Sequence, residues 1–361
     1  MKPLDLPGAY LVLDLGNRCP LACRHCIQNE PDRHEHFRTL GQMDVDLATS
    51  LLDELADRGR RFHSLILFWL GEPLQHPQFV DIHRSAVAAA ARGVFRRIEV
   101  HTNAVLLQRE IARAVLSAGP VPQRWHFSLD AASPSTYTKV KGRDHYWGAR
   151  QNVLAFLEER AGLDAQAVSA VFQFIPQVDN AGEAVAFART WRRAVERHGG
   201  QLSLVGGHVP EDVGDVVFFR QLDALEPGEQ EDANRLYRQV LRRTGVEPRP
   251  ALTDRLRRRL TSGRAGPASE PVPCACPFLS PVVHWDGRLT VCTRDSGLEL
   301  SPGSLRDGSF HDLWWESPGL GELRAAHLAG TAGGLCRDCP IPRSANYTGL
   351  TRSDLDRYRR G

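Results

Sequence analysis

Along the first two thirds of the chain, short apolar runs alternate with longer stretches in which apolar residues recur every three or four positions. The runs 9–15, 64–70, 97–102, 124–130, 167–175 and 201–205 have the length and composition of β-strands. Between them, 44–57, 76–91, 108–118, 147–160 and 181–198 carry the period of amphipathic helices, with Asp44 placed to cap the first. Such alternation predicts an α/β fold of parallel βαβ units, either an open doubly wound sheet or a whole or partial barrel. Both arrangements gather function at the C-terminal ends of the strands.

The rhythm breaks near Gly206. A charged helical pattern over 228–243 leads into the basic run 255–259, read as a solvated helix face, and 262–273 is rich in Gly, Pro and Ser and reads as a linker. Beyond it, 282–284 and 289–292 predict a β-hairpin turning through Asp286 and Gly287, followed by short helices near 310–316 and 320–329. The expected organisation is therefore a barrel domain over 1–205, a helical linker or substrate-side insertion over 206–270, a small domain over 271–345 and a tail helix over 346–361. A length of 361 residues suits one large domain with a smaller one beside it.

Composition narrows the class. With 42% hydrophobic and 24% charged residues the chain reads as soluble and globular, and a formal net charge of +2 gives no overall pull toward nucleic acid or membrane. The apolar run 65–70 is far shorter than the ~20 residues of a membrane span, and no secretory signal is visible, so a cytoplasmic setting is expected. The eight cysteines fall as three within 19–26 and five within 274–339. In a reducing compartment such clusters read as metal ligands before disulfides.

Cys19, Cys23 and Cys26 form C-x3-C-x2-C directly after the first predicted strand. Three thiolates on so short a loop suit three corners of a cubane [4Fe-4S] cluster and leave one iron open; a zinc site completed by His25, His34 or His36 is the alternative. In this context the chain resembles the radical S-adenosylmethionine (SAM) superfamily over about residues 8–205. The resemblance implies a partial (β/α)6 TIM-type barrel whose open iron is chelated by SAM. It extends to Gly71, Glu72 and Pro73 after the second strand, where Leu70 replaces the first glycine of a Gly-Gly-Glu motif that receives the methionine amino group. It also includes Thr102 and Asn103, with Ala104 in place of a glycine, and Ser128 and Asp130 as SAM-lining residues; Lys141 or Arg143 is the candidate for the SAM carboxylate.

Cys276, Cys292, Cys336 and Cys339 make a second four-thiolate set whose spacing suits zinc or an iron-sulfur cluster. This part resembles the SPASM/twitch extension of radical SAM enzymes, and, with no cysteine beyond Cys339, the shorter one-cluster arrangement of the 2-deoxy-scyllo-inosamine dehydrogenase type. The resemblance implies two [4Fe-4S] clusters, SAM, an external one-electron reductant of flavodoxin or ferredoxin type, and hydrogen-atom abstraction by a 5′-deoxyadenosyl radical. An auxiliary cluster near the substrate then favours oxidation of an alcohol to a ketone.

Strand alternation gives a separate clue to the substrate. Glu99, His101 and Asn103 share one face, as do His126, Ser128 and Asp130, and Asp14 and Gln173 extend the set. Polar residues inside a small barrel either bind a polar, hydroxyl-rich or amine-bearing ligand or cap one another. His101 and His126 are the candidate proton acceptors, with an arginine in 206–220 as the alternative. Cys274 is left over: as a spare thiol or alternative ligand it fits a dehydrogenase, and as a hydrogen donor it fits an epimerase. A peptide maturase and a zinc-stabilised, non-catalytic scaffold are the remaining readings.

Overall fold

The computed structural model describes residues 9–29, 39–223, 227–246, 273–337 and 339. The linker, basic run and tail helix expected from the sequence, together with His34 and His36, lie outside these residues, apart from Pro273 at the linker's end. The parallel strands are β1 (Tyr10–Leu13), β2 (Phe62–Leu67), β3 (Phe95–Thr102), β4 (Gln123–Ser128), β5 (Val168–Phe174), β6 (Leu202–Gly206) and β7 (Asp215–Phe219). Between them run α1 (Val45–Asp57), α2 (Phe79–Ala91), α3 (Arg109–Leu116), α4 (Pro134–Lys141), α5 (Tyr146–Gly162) and α6 (Ala184–Glu196), and α7 (Pro227–Thr244) follows β7. This is the partial TIM-type barrel.

Local sequence explains the elements. The Asp44 side chain accepts the Asp46 N–H and starts α1, which buries Ala48, Leu51, Leu52 and Leu55 against the sheet. Two elements escape the hydrophobic pattern. Strand β7, whose residues Asp215, Val216, Val217, Phe218 and Phe219 are all buried, inserts between β5 and β6, so the 201–205 strand is the outer neighbour rather than the sixth barrel strand. The segment from 206 onward is thus not wholly helical. Helix α4 is short, and its signal is the Ser133 cap before Pro134 rather than periodicity.

The C-terminal hairpin is formed by β8 (Val282–Val283) and β9 (Arg288–Thr290), turning through Gly287 at φ +95°. It joins the barrel sheet: β8 pairs in parallel with β1 through Val12 and Val282 and through Leu13 and Val283, and β10 (Gly303–Ser304) closes the edge. The sheet runs β10-β9-β8-β1-β2-β3-β4-β5-β7-β6. Phe310 and Trp315 from beyond the hairpin pack edge-on to Phe62 of β2, so one apolar core serves both parts. Among the described residues no helix is long and apolar enough to cross a membrane.

Candidate functional site

The three-cysteine loop leaves the end of β1 and is held by the end of α4. Ala22 N–H donates to Lys141 O at 3.0 Å and Arg24 N–H to Val140 O at 3.3 Å. Gly142 ends α4 at φ +71°, and a Cβ there would stand 2.2 Å from Ala22 O, so the close approach of helix end to loop needs glycine. Burial pushes the Cys19 thiol up to about 12 and raises Cys23 and Cys26. Such thiols become thiolates when a bound metal supplies positive charge.

Gly71 packs against the same loop, its missing Cβ replaced by Gly16 O, 2.0 Å from where that atom would lie. Glu72 follows it, accepting from Thr102 Oγ1 at 2.7 Å, Asn103 N–H at 2.8 Å and Leu74 N–H at 3.1 Å. Burial pushes this carboxyl up to about 7. Pro73 begins the short turn behind it. Asn103 Nδ2 lies 3.6 Å from Cys19 Sγ, which brings the second and third strand ends to the cysteine loop. Across the barrel mouth Lys141 donates to Asp130 at 2.5 Å and to Ser128 at 3.1 Å, and Gln173 donates to Ser128 at 3.3 Å. Burial works against the Lys141 charge, but Asp130 and Cys23 hold the ammonium well above its ordinary value.

Cys19, Cys23, Cys26, Gly71, Glu72, Thr102, Asn103, Ser128, Lys141 and Gln173 border one cavity of about 1220 Å³, whereas Pro73 and the fully buried Asp130 do not reach its wall. Its walls include Cys19, Cys23, Cys26, Cys276 and Cys292, together with His101, His126 and Gln173. Arg220, the arginine of the 206–220 segment, also lines it and pairs with Asp223 at 3.0 Å. Helix α7 adds a wall that periodicity alone did not assign to the site, including Leu236 and Gln239.

Two sequence-stated positions fall elsewhere. Arg143 is exposed beyond the end of α4 and does not line the cavity, which leaves Lys141 as the cation at this point. Asp14, expected among the inward polar residues, instead sits under the hairpin, where it accepts Leu70 N–H at 3.3 Å and lies 3.9 Å from His284 Nε2. Burial pushes its carboxyl up to about 7.

The second thiol set also converges. Cys276 hydrogen-bonds with Cys274 and Cys292, which raises its pKa well above the ordinary thiol value, whereas the Cys292 thiol is lowered by that contact with Cys276. Cys336 is pushed up to about 11 by burial and then by the charges of Cys274, Cys292 and Cys339. Five sulfurs therefore share this neighbourhood, and Cys274 is not part of the cavity wall.

Comparison with known proteins agrees with this geometry. The model of the Radical SAM superfamily matches residues 13–168, and that of an iron-sulfur cluster-binding domain, SPASM, matches residues 274–340. Among curated proteins none matches the sequence. Among solved structures, BtrN in complex with AdoMet and 2-DOIA is 13% identical with a TM-score of 0.53, over 96% of this chain and 100% of that one. Streptococcus suis SuiB bound to precursor peptide SuiA is 12% identical with a TM-score of 0.57, over 90% of this chain and 68% of that one. Native anSMEcpe with bound AdoMet and Cp18Cys peptide is 13% identical with a TM-score of 0.56, over 95% and 89%. At these identities the likeness speaks for the fold.

Proposed function

Because the chain is a radical SAM superfamily enzyme with a SPASM iron-sulfur domain, requiring SAM, iron-sulfur clusters and a reductant, we propose that it oxidises an alcohol of a small polar substrate to a ketone. When bound, the cluster and SAM supply a 5′-deoxyadenosyl radical for hydrogen-atom abstraction. Cys19, Cys23 and Cys26 hold that cluster; Glu72, Asn103, Ser128, Asp130 and Lys141 surround the SAM, with Gln173 beside them. Cys276, Cys292, Cys336 and Cys339 would hold one auxiliary cluster, which would supply a one-electron acceptor. The substrate is a sugar or an aminocyclitol-like molecule, and His101 or His126 takes its hydroxyl proton.

The observation that carries this reading is the shared cavity: Cys19, Cys23 and Cys26 border it together with Cys276 and Cys292 of the second set, and His101, His126, Ser128 and Gln173 bring polar groups to its wall. Cys274 stands outside that wall, which favours oxidation over inversion by a cysteine hydrogen donor. The complexes of SuiB and anSMEcpe with peptides keep a peptide substrate as the rival.

The test uses anaerobic enzyme with SAM, reduced flavodoxin and a panel of ring-deuterated sugars and aminocyclitols. Deuterium in 5′-deoxyadenosine and a product lighter by two hydrogens are expected. A product of unchanged mass carrying solvent deuterium would assign an epimerase instead.

A further inference from the structure

On the inner face of β3, Glu99 stands below His101 and does not reach the cavity wall. Its Oε1 accepts from Ser64 Oγ at 2.9 Å and from Arg97 Nε at 3.0 Å, which fixes the carboxylate. Its Oε2 faces His126 Nε2 at 3.3 Å and His101 Nε2 at 3.8 Å. Burial alone would raise the Glu99 pKa, but the two histidines and Arg97 hold it well below the usual carboxylate range. A buried anion is therefore kept permanently beside two imidazoles.

The two rings stack with centroids 3.9 Å apart and 22° between their planes, and Phe68 stacks on His101 at 5.4 Å. His126 Nδ1 is buried without a hydrogen-bond partner, and the two Nε2 atoms, also buried, have only the Glu99 carboxylate facing them. The histidines are not equivalent. His126 is pushed down to about 3, by burial and then by His101, and so stays neutral. His101 keeps 23% of its side chain exposed and meets the cavity.

We propose that His101 takes the substrate's hydroxyl proton and that Glu99 is its positioning residue, holding the imidazolium against a carboxylate already fixed by Ser64 and Arg97. This rests on the dehydrogenase reading. One C–H hydrogen atom leaves to the deoxyadenosyl radical, and the O–H bond breaks with its proton going to a His101 ring nitrogen. The remaining electron passes to an iron-sulfur acceptor as the C=O bond forms.

The other charged groups around the pair are Arg124 on β4, His63 on β2 with Glu211 at 3.4 Å, and the Lys141–Asp130 pair toward the strand ends. Glu99, His101 and His126 also offer three donor atoms within 4.8 Å of one another, as a metal ion needs. Nearly parallel stacked rings do not aim both lone pairs at one ion, however.

The experiment is an NMR titration of [13C]histidine-labelled, cluster-loaded enzyme, the His101 signal being the one absent from His101→Asn. Glu99→Gln is expected to lower the His101 midpoint by about one to three pH units, because an opposite charge within about 4–6 Å favours the imidazolium. Arg97→Gln, which removes a cation, moves it up, and this variant carries the test if Glu99→Gln does not fold. An unchanged midpoint in either folded variant overturns the proposal. So does the loss of one zinc or iron per chain in Glu99→Gln, which would mark a metal site. The titration needs no turnover, so a failure of the dehydrogenase reading shows in product analysis and not here.

Discussion

Glu72 illustrates how much one buried carboxyl decides. Burial raises its pKa to about 7, above the ordinary carboxylate value, so it is charged only as the pH rises through that point. Attraction for an ammonium group is then absent in acid and present in base. SAM affinity measured by equilibrium dialysis should be about tenfold tighter at about pH 8 than at about pH 6, and flat in Glu72→Gln. The same ionisation opposes folding, since the folded state binds the Glu72 proton more tightly than the unfolded chain; this contribution to stability is present below the unfolded pKa and is lost as pH rises through 7. Cys274 is decided by a different measurement. Cys274→Ala should keep ketone formation and 5′-deoxyadenosine release coupled, whereas an epimerase would go on releasing 5′-deoxyadenosine with its product lost.

Among the elements, the end of α4 determines whether the cysteine loop keeps its shape. Gly142→Ala puts a Cβ into Ala22 O and strains a left-handed residue. The strain costs roughly 1–2 kcal/mol, with the clash additional. A lower thermal midpoint together with loss of iron from the three-cysteine site is expected, measured by calorimetry and elemental analysis. The loop's cysteines were legible in the sequence because ligand spacing is local, and strands β1 to β5 were legible because apolar residues run through β1, β2 and β5 and alternate with polar ones in β3 and β4. Helix α4 was not, because its eight residues, PSTYTKVK, are mostly polar or β-branched and carry little apolar period, and its start depends on the Ser133 cap. Strand β7 was missed for a different reason: Asp215 opens an otherwise apolar run soon after β6, so the segment looks like a loop remnant. Asp215 is buried because Arg160 binds it through two hydrogen bonds of 2.6 Å, a partner 55 residues away that no local pattern discloses. Arg143 and Asp14 show the same limit from the other side, since the family resemblance named the first and strand alternation the second, while neither lines the cavity.

For the whole molecule, five of the eight cysteines line one cavity: Cys19, Cys23 and Cys26 from the barrel and Cys276 and Cys292 from the C-terminal part. Anaerobically purified protein should carry about eight irons per chain, and about four after Cys276→Ala with Cys292→Ala, two cubanes being reduced to one. A chain cut before the hairpin would leave β1 as a bare sheet edge with Val12 and Leu13 unpaired toward β8. Such a fragment is expected to self-associate, as size-exclusion chromatography would reveal. The hairpin's seat on β1 also acts as a gauge. Only two residue pairs set it, Val12 with Val282 and Leu13 with Val283, and sliding by one residue would exchange the faces of both valines and carry Cys276 and Cys292 about 3.3 Å along the strand. The spacing between the two cysteine sets is thus metered by backbone pairing, in steps of whole residues.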